Sequence, residues 1–357
     1  MSSARRAASA REAIEEFDCF GSRCGARVIG CGRAGTAREA AALSRRTLLV
    51  WHRRFSRFLA DSELSQLNRD PRETVPVRPL MARLAQAVRD AGLLSGGLVD
   101  ATLVGELERA GYARDLRQPT LALADALERA PARGPASAAA ARRWREIDVD
   151  LQGSTVTRPP GLMLDSGGLA KGLFADVLGE LLASHPSFAI DCAGDLLIGG
   201  AARTPRPIIV ESPFDARTLH TFELSHTGVA TSGIGRRGWL DRNGRPAHHL
   251  LDPSSGTPAF TGIVQVTALA PSALDAEIKA KAALLSGPQA APDWLEHGGV
   301  IVFDDGSHRV LAPPPAPQPP PGMQPTPVVS MGQLLAHVRP RAAPAQEAEL
   351  ATGAVAA

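Results

Sequence analysis

The sequence predicts an α+β fold on three observations. Segments in which apolar residues recur every three or four positions alternate with short aliphatic runs, without a regular β-α-β repeat. Hydrophobic residues make up 44% and charged residues 21% of the 357 positions, which is typical of a globular chain. Aromatic residues make up only 4%, so the core must be built mainly from Leu, Val, Ile and Ala.

The elements of the first half follow from spacing and turn residues. After a charged, alanine-rich lead-in over residues 1–16, a strand hairpin is predicted from Phe17 to Ile29. Amphipathic helices are predicted from Ala37 to Phe58 and from Pro79 to Leu94, because their apolar residues share one helix face. Residues 116–143, rich in Ala, Arg and Pro, predict a helix followed by a loop.

The second half begins with two short strands, predicted between Trp144 and Val156. A helix that buries one apolar face is predicted from Gly168 to His185. Buried strands are predicted from Phe188 to Ile198 and from Pro207 to Glu211, where aliphatic residues follow one another.

The last predicted elements are a helix from Ser272 to Ser286, which opens with a Ser-x-x-Asp capping pattern, and a strand from Gly299 to Phe303. Residues 312–327 are proline-rich and predict an extended linker that cannot pack inside a helix or a sheet. Residues 328–357 are rich in Ala and Pro and predict a disordered tail. We therefore expect one folded domain over residues 17–311.

Composition excludes several classes of function. With 39 Lys and Arg against 37 Asp and Glu, the formal net charge is +2, too balanced for a nucleic-acid binder that works through bulk charge. No apolar run approaches the roughly 18–20 residues of a membrane span. The N-terminal residues lack the apolar segment of a secretory signal, so we expect a cytoplasmic protein.

The cysteines and lysines carry further information. Four cysteines, at positions 19, 24, 31 and 192, form no C-x-x-C pair, which is typical of free thiols in a reducing compartment. The only lysines are Lys171, Lys279 and Lys281, so the chain strongly prefers arginine. A retained lysine indicates a position that needs a compact point charge, unless it survives by chance.

The segment LDSGGLAKG, from Leu164 to Gly172, predicts an anion site. Asp165, two glycines and Lys171 stand at the start of a predicted helix, where backbone N–H groups and the helix dipole attract negative charge. The spacing differs from that of the phosphate-binding loop G-x-x-x-x-G-K-[ST]. The alternative is an ordinary helix start with a surface lysine.

Two earlier segments place polar residues beside glycines or helix caps. Residues 55–68, FSRFLADSELSQLN, either form a capped junction between helices or supply polar groups to a site. In residues 95–107, SGGLVDATLVGEL, two glycines precede Asp100 and Thr102. These glycines either let the backbone approach a ligand closely or form a turn before a buried element.

Three later patterns offer reactive side chains. Thr231 supplies a hydroxyl at a turn, and His249 with Asp252 three positions later is a candidate acid/base pair; the alternative is two loops with a structural histidine. Glu277 precedes Lys281 by four positions, so both lie on one helix face. That pair is either an exposed ion pair worth about 0.2–0.5 kcal/mol or part of a site.

In order and spacing, these segments together resemble the FAD:protein FMN transferase family, the ApbE-like flavin transferases. The resemblance extends from about Phe17 to Phe303 and implies a fold of mixed sheets with flanking helices. The matching motifs are SELSQLN from Ser62, GGLVDAT from Gly96, LDSGGLAKG from Leu164, AGDLLIGG from Ala193, VATSG from Val229 and HLLDPSSGTP from His249.

The resemblance implies a reaction. Members of the family cleave the pyrophosphate of FAD, attach FMN to a threonine or serine hydroxyl of a client flavoprotein, and release AMP. FAD is then the substrate, a client flavoprotein is the partner, and magnesium neutralises the pyrophosphate as its bond breaks. An FAD-binding carrier and an FAD pyrophosphatase that uses water are the alternatives.

The resemblance also assigns roles to single residues. His249 falls on the catalytic histidine, with Asp252 near it, and the Gly168 carbonyl and Glu277 fall on the metal site. The residues expected to contact FAD are Phe20, Phe58, Leu98, Val99, Asp100, Asp165, Lys171, Thr231 and Lys281.

Several positions depart from the family pattern. Phe20 and Phe58 replace the Met and Tyr common near the flavin, which removes a phenolic hydroxyl, and Ile234 replaces an acidic residue. Glu277 and Lys281 replace a metal-binding Asp and Thr. A glutamate can still bind magnesium, but a protonated lysine has no lone pair to offer. The Lys281 ammonium is therefore expected to neutralise pyrophosphate charge itself.

Overall fold

The structure, a computed structural model, describes residues 12–113 and 121–314. The described residues belong to one compact unit. The predicted tail lies outside the described residues, as do most of the predicted lead-in and all of the predicted linker after residue 314.

An antiparallel sheet of eight strands forms the centre of the fold. In spatial order its strands are β1 (Ala13–Cys19), β2 (Ser22–Ile29), β6 (Ser187–Cys192), β7 (Asp195–Gly199), β10 (Thr227–Gly233), β15 (Ile263–Ala270), β16 (Gly299–Phe303) and β17 (His308–Leu311). With helices packed against this sheet, the predicted α+β class is confirmed.

Three helices cover the sheet: α1 packs on β1 and β2, α6 on β6 and β7, and α7 on β10 and β15. The helices in chain order are α1 (Ala37–Phe55), α2 (Glu63–Arg69), α3 (Pro79–Leu94), α4 (Val104–Arg109), α5 (Leu123–Glu128), α6 (Ala170–Leu182) and α7 (Ala273–Ala290). The residues buried between sheet and helices are mainly Leu, Val, Ile and Ala, so the predicted aliphatic core is confirmed.

Short strands form smaller antiparallel sheets beside the main one. They are β3 (Thr74–Pro76), β4 (Asp148–Asp150) and β5 (Thr155–Thr157) in one sheet, and the pairs β8 (Arg206–Glu211) with β9 (Thr218–Leu224), β11 (Gly238–Leu240) with β12 (Pro246–His248), and β13 (Leu251–Asp252) with β14 (Thr257–Pro258). Two 3-10 turns, Arg143–Glu146 and Ala291–Trp294, complete the secondary structure described.

Helix α3 and strand β16 have the predicted bounds, whereas other elements differ from the prediction. β1 begins at Ala13, four residues before the predicted hairpin, and α1 ends at Phe55. The strand predicted from Phe188 to Ile198 is two strands, because Ala193 and Gly194 adopt left-handed backbone conformations with φ of 60° and 97°. Strands β9, β10, β15 and β17 were not predicted.

Helices α6 and α7 cap each other. Asp176 on α6 accepts hydrogen bonds from the N–H groups of Ala273 (2.7 Å) and Leu274 (3.0 Å), at the start of α7. Glu277 on α7 accepts one from the N–H of Gly172 (2.9 Å), in the first turn of α6. A Cβ on Gly172 would lie 2.7 Å from the Ala273 carbonyl oxygen, so this approach requires glycine.

None of the helices in the described ranges is long and apolar enough to cross a membrane. The four cysteines are free thiols; Cys31 is exposed, whereas Cys19, Cys24 and Cys192 are buried.

Candidate active site

A cleft of about 1840 Å³ is lined by the end of α1, the loop before α6, strands β10 and β15, and the segment after β12. Of the residues that the sequence assigned to a site, all line this cleft except Asp252 and Glu277. The fold therefore brings together segments that lie far apart in the chain.

One aromatic residue of the cleft lies in the β1–β2 turn. Phe20 adopts a left-handed conformation with φ of 55°, and its ring stands edge-on to His52 with 5.1 Å between centroids. The guanidinium of Arg237 donates a hydrogen bond to the Phe20 carbonyl oxygen at 2.8 Å. This bond ties the turn to the segment between β10 and β11.

A second set of rings lies beyond the end of α1, and we call Phe58, Tyr112 and Trp239 the aromatic wall. The Phe58 ring stands edge-on to Tyr112, and Tyr112 stacks on Trp239, each pair with 5.4 Å between centroids. The guanidinium of Arg57 lies 4.3 Å from the centroid of Phe58 and 4.7 Å from that of Tyr112. The only tyrosine of the chain thus lines the cleft beside Phe58.

Asn68 fastens the loop before α6. Its amide donates a hydrogen bond to the Leu164 carbonyl at 2.9 Å, and the Leu164 N–H donates one to the Asn68 carbonyl oxygen at 2.8 Å. The Ser166 hydroxyl donates to the Phe55 carbonyl at 2.7 Å. The SELSQLN motif therefore positions the loop, and Asn68 itself does not line the cleft.

Two aspartates of the cleft are held by local bonds. Asp165 pairs with Arg57 at 3.1 Å between Oδ1 and Nε, so the arginine that lies against the aromatic wall offsets its charge. Asp100, which follows Leu98 and Val99 in the cleft lining, accepts hydrogen bonds from the N–H and the hydroxyl of Thr102, at 2.8 and 2.6 Å. Burial raises the pKa of Asp100.

Two lysines converge on one buried glutamate at the floor of the cleft. The Lys281 Nζ lies 2.9 Å and the Lys171 Nζ 3.4 Å from the same oxygen, Oε1 of Glu277. Lys171 also donates to the Asp195 carboxylate. The side chains of Glu277 and Asp195 are 0% and 1% exposed, whereas both lysines line the cleft. We call these four residues the lysine–carboxylate cluster.

The cluster sets the charges of its own members. Burial alone would raise the pKa of Glu277, but Lys281 and Lys171 bring it below its ordinary value. Burial raises the pKa of Asp195, and the Glu277 charge adds to this effect. Although burial opposes it, the two carboxylates raise the pKa of Lys171. At neutral pH, Glu277 is therefore ionised and Lys171 protonated.

The cluster does not fit a divalent cation. Two ammonium groups share Oε1 of Glu277, and Oε2 accepts the Gly172 N–H. The Lys281 side chain lies over Gly168, with its Cε 3.7 Å from a Cβ placed on that glycine. Mg²⁺ requires an octahedral set of oxygens, and within residues 12–113 and 121–314 no group of three His, Cys, Asp or Glu side chains could hold a metal.

His249 lines the cleft as a neutral imidazole. Its Nδ1 is buried and has no hydrogen-bond partner in the part of the chain that the structure describes. Its pKa lies well below the ordinary value, because burial disfavours the imidazolium and Arg237, His248 and the two cluster lysines add positive charge. An imidazole in this state has a lone pair with which to accept a proton.

Asp252 does not form the predicted pair with His249. Its Oδ1 accepts hydrogen bonds from the N–H groups of Ser137 and Ser254, both at 3.0 Å, and Oδ2 accepts one from the Ser255 hydroxyl at 3.1 Å. No hydrogen bond to His249 is present among the described residues. The Asp-Pro-Ser-Ser spacing thus reflects a turn between β13 and β14.

Thr231 lies in the cleft as predicted and is paired across the sheet. Its hydroxyl is 2.8 Å from that of Thr267, its register partner on β15. Both threonines line the cleft, and most of the other buried residues of β10 and β15 are apolar.

Several residues of the site escaped prediction, among them Arg57, Tyr112, Asp195 and Arg237. The chain has 36 arginines (39 Lys and Arg less three lysines), so an arginine carries little signal in the sequence. Asp195 lies in the AGDLLIGG motif but follows no spacing that links it to Lys171. Tyr112 could have been found as the only tyrosine of the chain.

Comparison with known proteins adds an independent finding. The sequence matches the ApbE family over residues 20–303. An FAD:protein FMN transferase of Rhodobacter capsulatus is 27% identical over 315 residues, covering 84% of this chain and 57% of the relative. One of Treponema pallidum is 30% identical over 170 residues, covering 43% of this chain and 47% of the relative. The chain therefore spans about half the length of these two relatives.

A solved structure resembles the fold. The ApbE protein of Thermotoga maritima superposes with a TM-score of 0.65 and 23% identity, covering 84% of this chain and 97% of that one.

Proposed function

The chain belongs to the ApbE family, and from this premise we propose that it is an FAD:protein FMN transferase. It would move FMN from FAD to a threonine or serine hydroxyl of a client flavoprotein and release AMP. The observation that carries the proposal is that one cleft joins aromatic rings, two lysines and a neutral histidine. The two relatives, both FAD:protein FMN transferases, support the same reaction.

The aromatic residues suit the flavin ring. An isoalloxazine is a large planar system that gains from contact with aromatic faces and edges. Phe20 and Phe58 supply such contacts, and Leu98 and Val99 add apolar surface. Neither phenylalanine has a hydroxyl, but Tyr112 brings one beside Phe58.

The cluster suits the diphosphate. Lys171 and Lys281 present ammonium groups to the cleft, and Lys171 lies in the first turn of α6, where the helix dipole favours an anion. Asp165 and Asp100 have local partners, Arg57 and Thr102, which limits their repulsion of phosphate oxygens. The proposed binding set contains no magnesium, because the cluster does not fit one.

The transfer step needs a proton acceptor. The client hydroxyl oxygen forms a bond to the phosphorus of the FMN half, and the bond from that phosphorus to the bridging oxygen breaks, so AMP leaves with the electron pair. His249 accepts the hydroxyl proton at its imidazole. Because its pKa is lowered, His249 holds that proton weakly and can pass it to the departing phosphate.

The test is His249→Ala with His308→Ala, an exposed histidine of β17, as the matched control. Each protein is incubated with FAD and a threonine-bearing acceptor peptide, and covalent flavin on the peptide is measured by fluorescence. We expect transfer to fall by about 100-fold or more in His249→Ala, with FAD affinity retained, since a general base contributes on this scale. His308→Ala should transfer at the normal rate.

Two other outcomes contradict the proposed reaction, and a third contradicts only the role of His249. Free FMN and AMP without labelled peptide would make the protein an FAD pyrophosphatase. Bound FAD that stays unchanged would make it a carrier. Normal transfer by His249→Ala would remove His249 from the reaction.

A further inference from the structure

The lysine–carboxylate cluster stands where the family resemblance implies a divalent cation. We propose that it is a built-in, metal-independent site for a diphosphate, in which the ammonium groups of Lys281 and Lys171 take the place of the cation. The inference rests on the proposed function, since the diphosphate would be that of FAD.

Lys281 lies at the position where the family resemblance implies a metal ion. Lys281 lies one helical turn after Glu277 on α7, and its side chain lies between that carboxylate and Gly168, the two expected metal ligands. Helix α7 is itself held at its start by Asp176. The ammonium is therefore fixed at the locus before any ligand binds.

The ammonium groups of both lysines have N–H donors left to bind a ligand. A lysine ammonium has three N–H donors. Within the described residues, Lys281 donates to Glu277 alone, and the ion pairs of Lys171 are with Asp195 and Glu277. Both lysines line the cleft, so the remaining donors can reach a ligand. Charge-assisted hydrogen bonds of this kind suit phosphate oxygens.

The negative charge of the cluster lies away from the cleft. Glu277 and Asp195 are buried and offset the positive charge of the lysines, and neither carboxylate lines the cleft. They hold the ammonium groups in place without presenting negative charge to an incoming anion. Arg237, which does line the cleft, adds further positive charge near His249.

The remaining lysine provides a contrast. Lys279 lies two residues before Lys281 on the same helix, but it pairs with Glu296 and does not line the cleft. In a chain that otherwise uses arginine, two of three lysines therefore meet at one buried glutamate. A point charge fits the space of a metal ion, whereas the planar guanidinium fork does not.

The experiment measures FAD binding to the full chain by quenching of flavin fluorescence, in excess EDTA and in millimolar Mg²⁺. We expect the two affinities to agree within about twofold, since the charged hydrogen bonds come from lysines. The same titration with riboflavin, which has no phosphate, measures the contribution of the flavin ring alone. A requirement for Mg²⁺ in the wild-type chain would overturn the proposal without reference to any variant.

Variants then assign the effect to the ammonium. Lys281→Met keeps the aliphatic stem and should weaken FAD binding in EDTA by about 10- to 100-fold, the scale of a charged hydrogen bond, while riboflavin affinity stays unchanged. Lys279→Met is the matched control and should bind FAD like the wild type. Equal FAD affinity in Lys281→Met and the wild type would overturn the proposal.

The two proposals can fail separately. If FAD binds equally in EDTA and Mg²⁺ but no FMN reaches the peptide, the proposed function fails and the diphosphate site stands. If FMN is transferred, but FAD binds and reacts only with Mg²⁺, the proposed function stands and the metal-independent site is wrong.

Discussion

The N-termini of α6 and α7 face each other, and each receives a carboxylate from the other helix, half-buried for Asp176 and fully buried for Glu277. Asp176 caps α7 and has no ion pair within the described residues; burial raises its pKa to about 6. Glu277 caps α6 and has two lysines within 3.4 Å, which bring its pKa below the ordinary value. The same local geometry thus holds two opposite charge states.

The difference shows what a structural cap needs and what a site adds. Two backbone N–H groups bond the Asp176 oxygens and offset part of the cost of burying its charge, but no cation within the described residues pairs with it. At Glu277 the cations exceed what a cap requires, and they face the cleft. This extra positive charge at one of two similar caps is the feature on which the proposed diphosphate site depends.

The largest expected effect comes from removing the Glu277 charge. Glu277→Gln can still accept the Gly172 N–H, but it leaves Lys171 with Asp195 alone and removes the ion pair of Lys281. Breaking a buried ion pair in this way typically costs about 3–5 kcal/mol in the free energy of unfolding. Urea denaturation at neutral pH measures it.

The control for this comparison is Glu180→Gln, which removes a charge from an exposed pair with Arg83 on the outside of α6. Surface pairs contribute about 0–1 kcal/mol, so stability should change little. If Glu277→Gln were as stable as Glu180→Gln, the cluster would not be an ionised network.

The second effect concerns pH at Asp176. Its folded pKa of about 6 lies above the ordinary value of 3.8, so its contribution to stability is present below pH 3.8 and is lost as the pH rises through 6. The pKa difference corresponds to about 3 kcal/mol. Asp176→Asn should lack this loss, so the difference in unfolding free energy between wild type and variant should change by about that amount from pH 4 to 7.

Measuring both proteins at each pH cancels the titration of other groups. A difference that stays constant from acid to neutral pH would show that Asp176 is already charged in acid. The two caps would then be alike, contrary to the comparison.

The smallest effect tests the contact between the two helix starts. Gly172→Ala places a Cβ 2.7 Å from the backbone of α7, and overpacking of this kind costs about 1–3 kcal/mol in unfolding free energy. Gly105→Ala on α4 is the control, because the nearest atom to its Cβ would be the Arg109 guanidinium at 3.5 Å. That control should be neutral or stabilised by up to about 1 kcal/mol, and thermal melting compares the two variants. Equal stability would show that the helices can separate without loss.

The fold was predictable where local pattern dominates. Helix α3 shows uninterrupted apolar spacing, and its predicted bounds, Pro79–Leu94, are confirmed. Strand β15 has the apolar run IVQVTALA but was missed. It is buried on both faces, so its residues do not show the alternation of apolar and polar side chains by which a strand is recognised. The turn between β6 and β7 was missed because Ala193, not a glycine or an asparagine, takes its left-handed position.

The site was predictable where residue type is rare. Lys171 and Lys281 stood out against an arginine-rich background, and both line the cleft. Asp252 has an acid/base spacing from His249 but serves a turn, because an aspartate before proline bonds its own backbone as readily as it orients a histidine. Asp195 was missed because its link to Lys171 exists only after the sheet has formed.

The reciprocal caps also bear on when the site arises during folding. The bonds from Asp176 to Ala273 and from Gly172 to Glu277 span 97 and 105 residues. Closing loops of that length is entropically costly, and long-range contacts of this kind slow folding. A nascent chain that ends before α7 has every glycine of LDSGGLAKG as well as Phe20 and Phe58, but it lacks Lys281 and the Glu277 carboxylate that pairs with Lys171. The proposed diphosphate site would thus form only when folding is complete, and ligand bound there would report that α7 has docked.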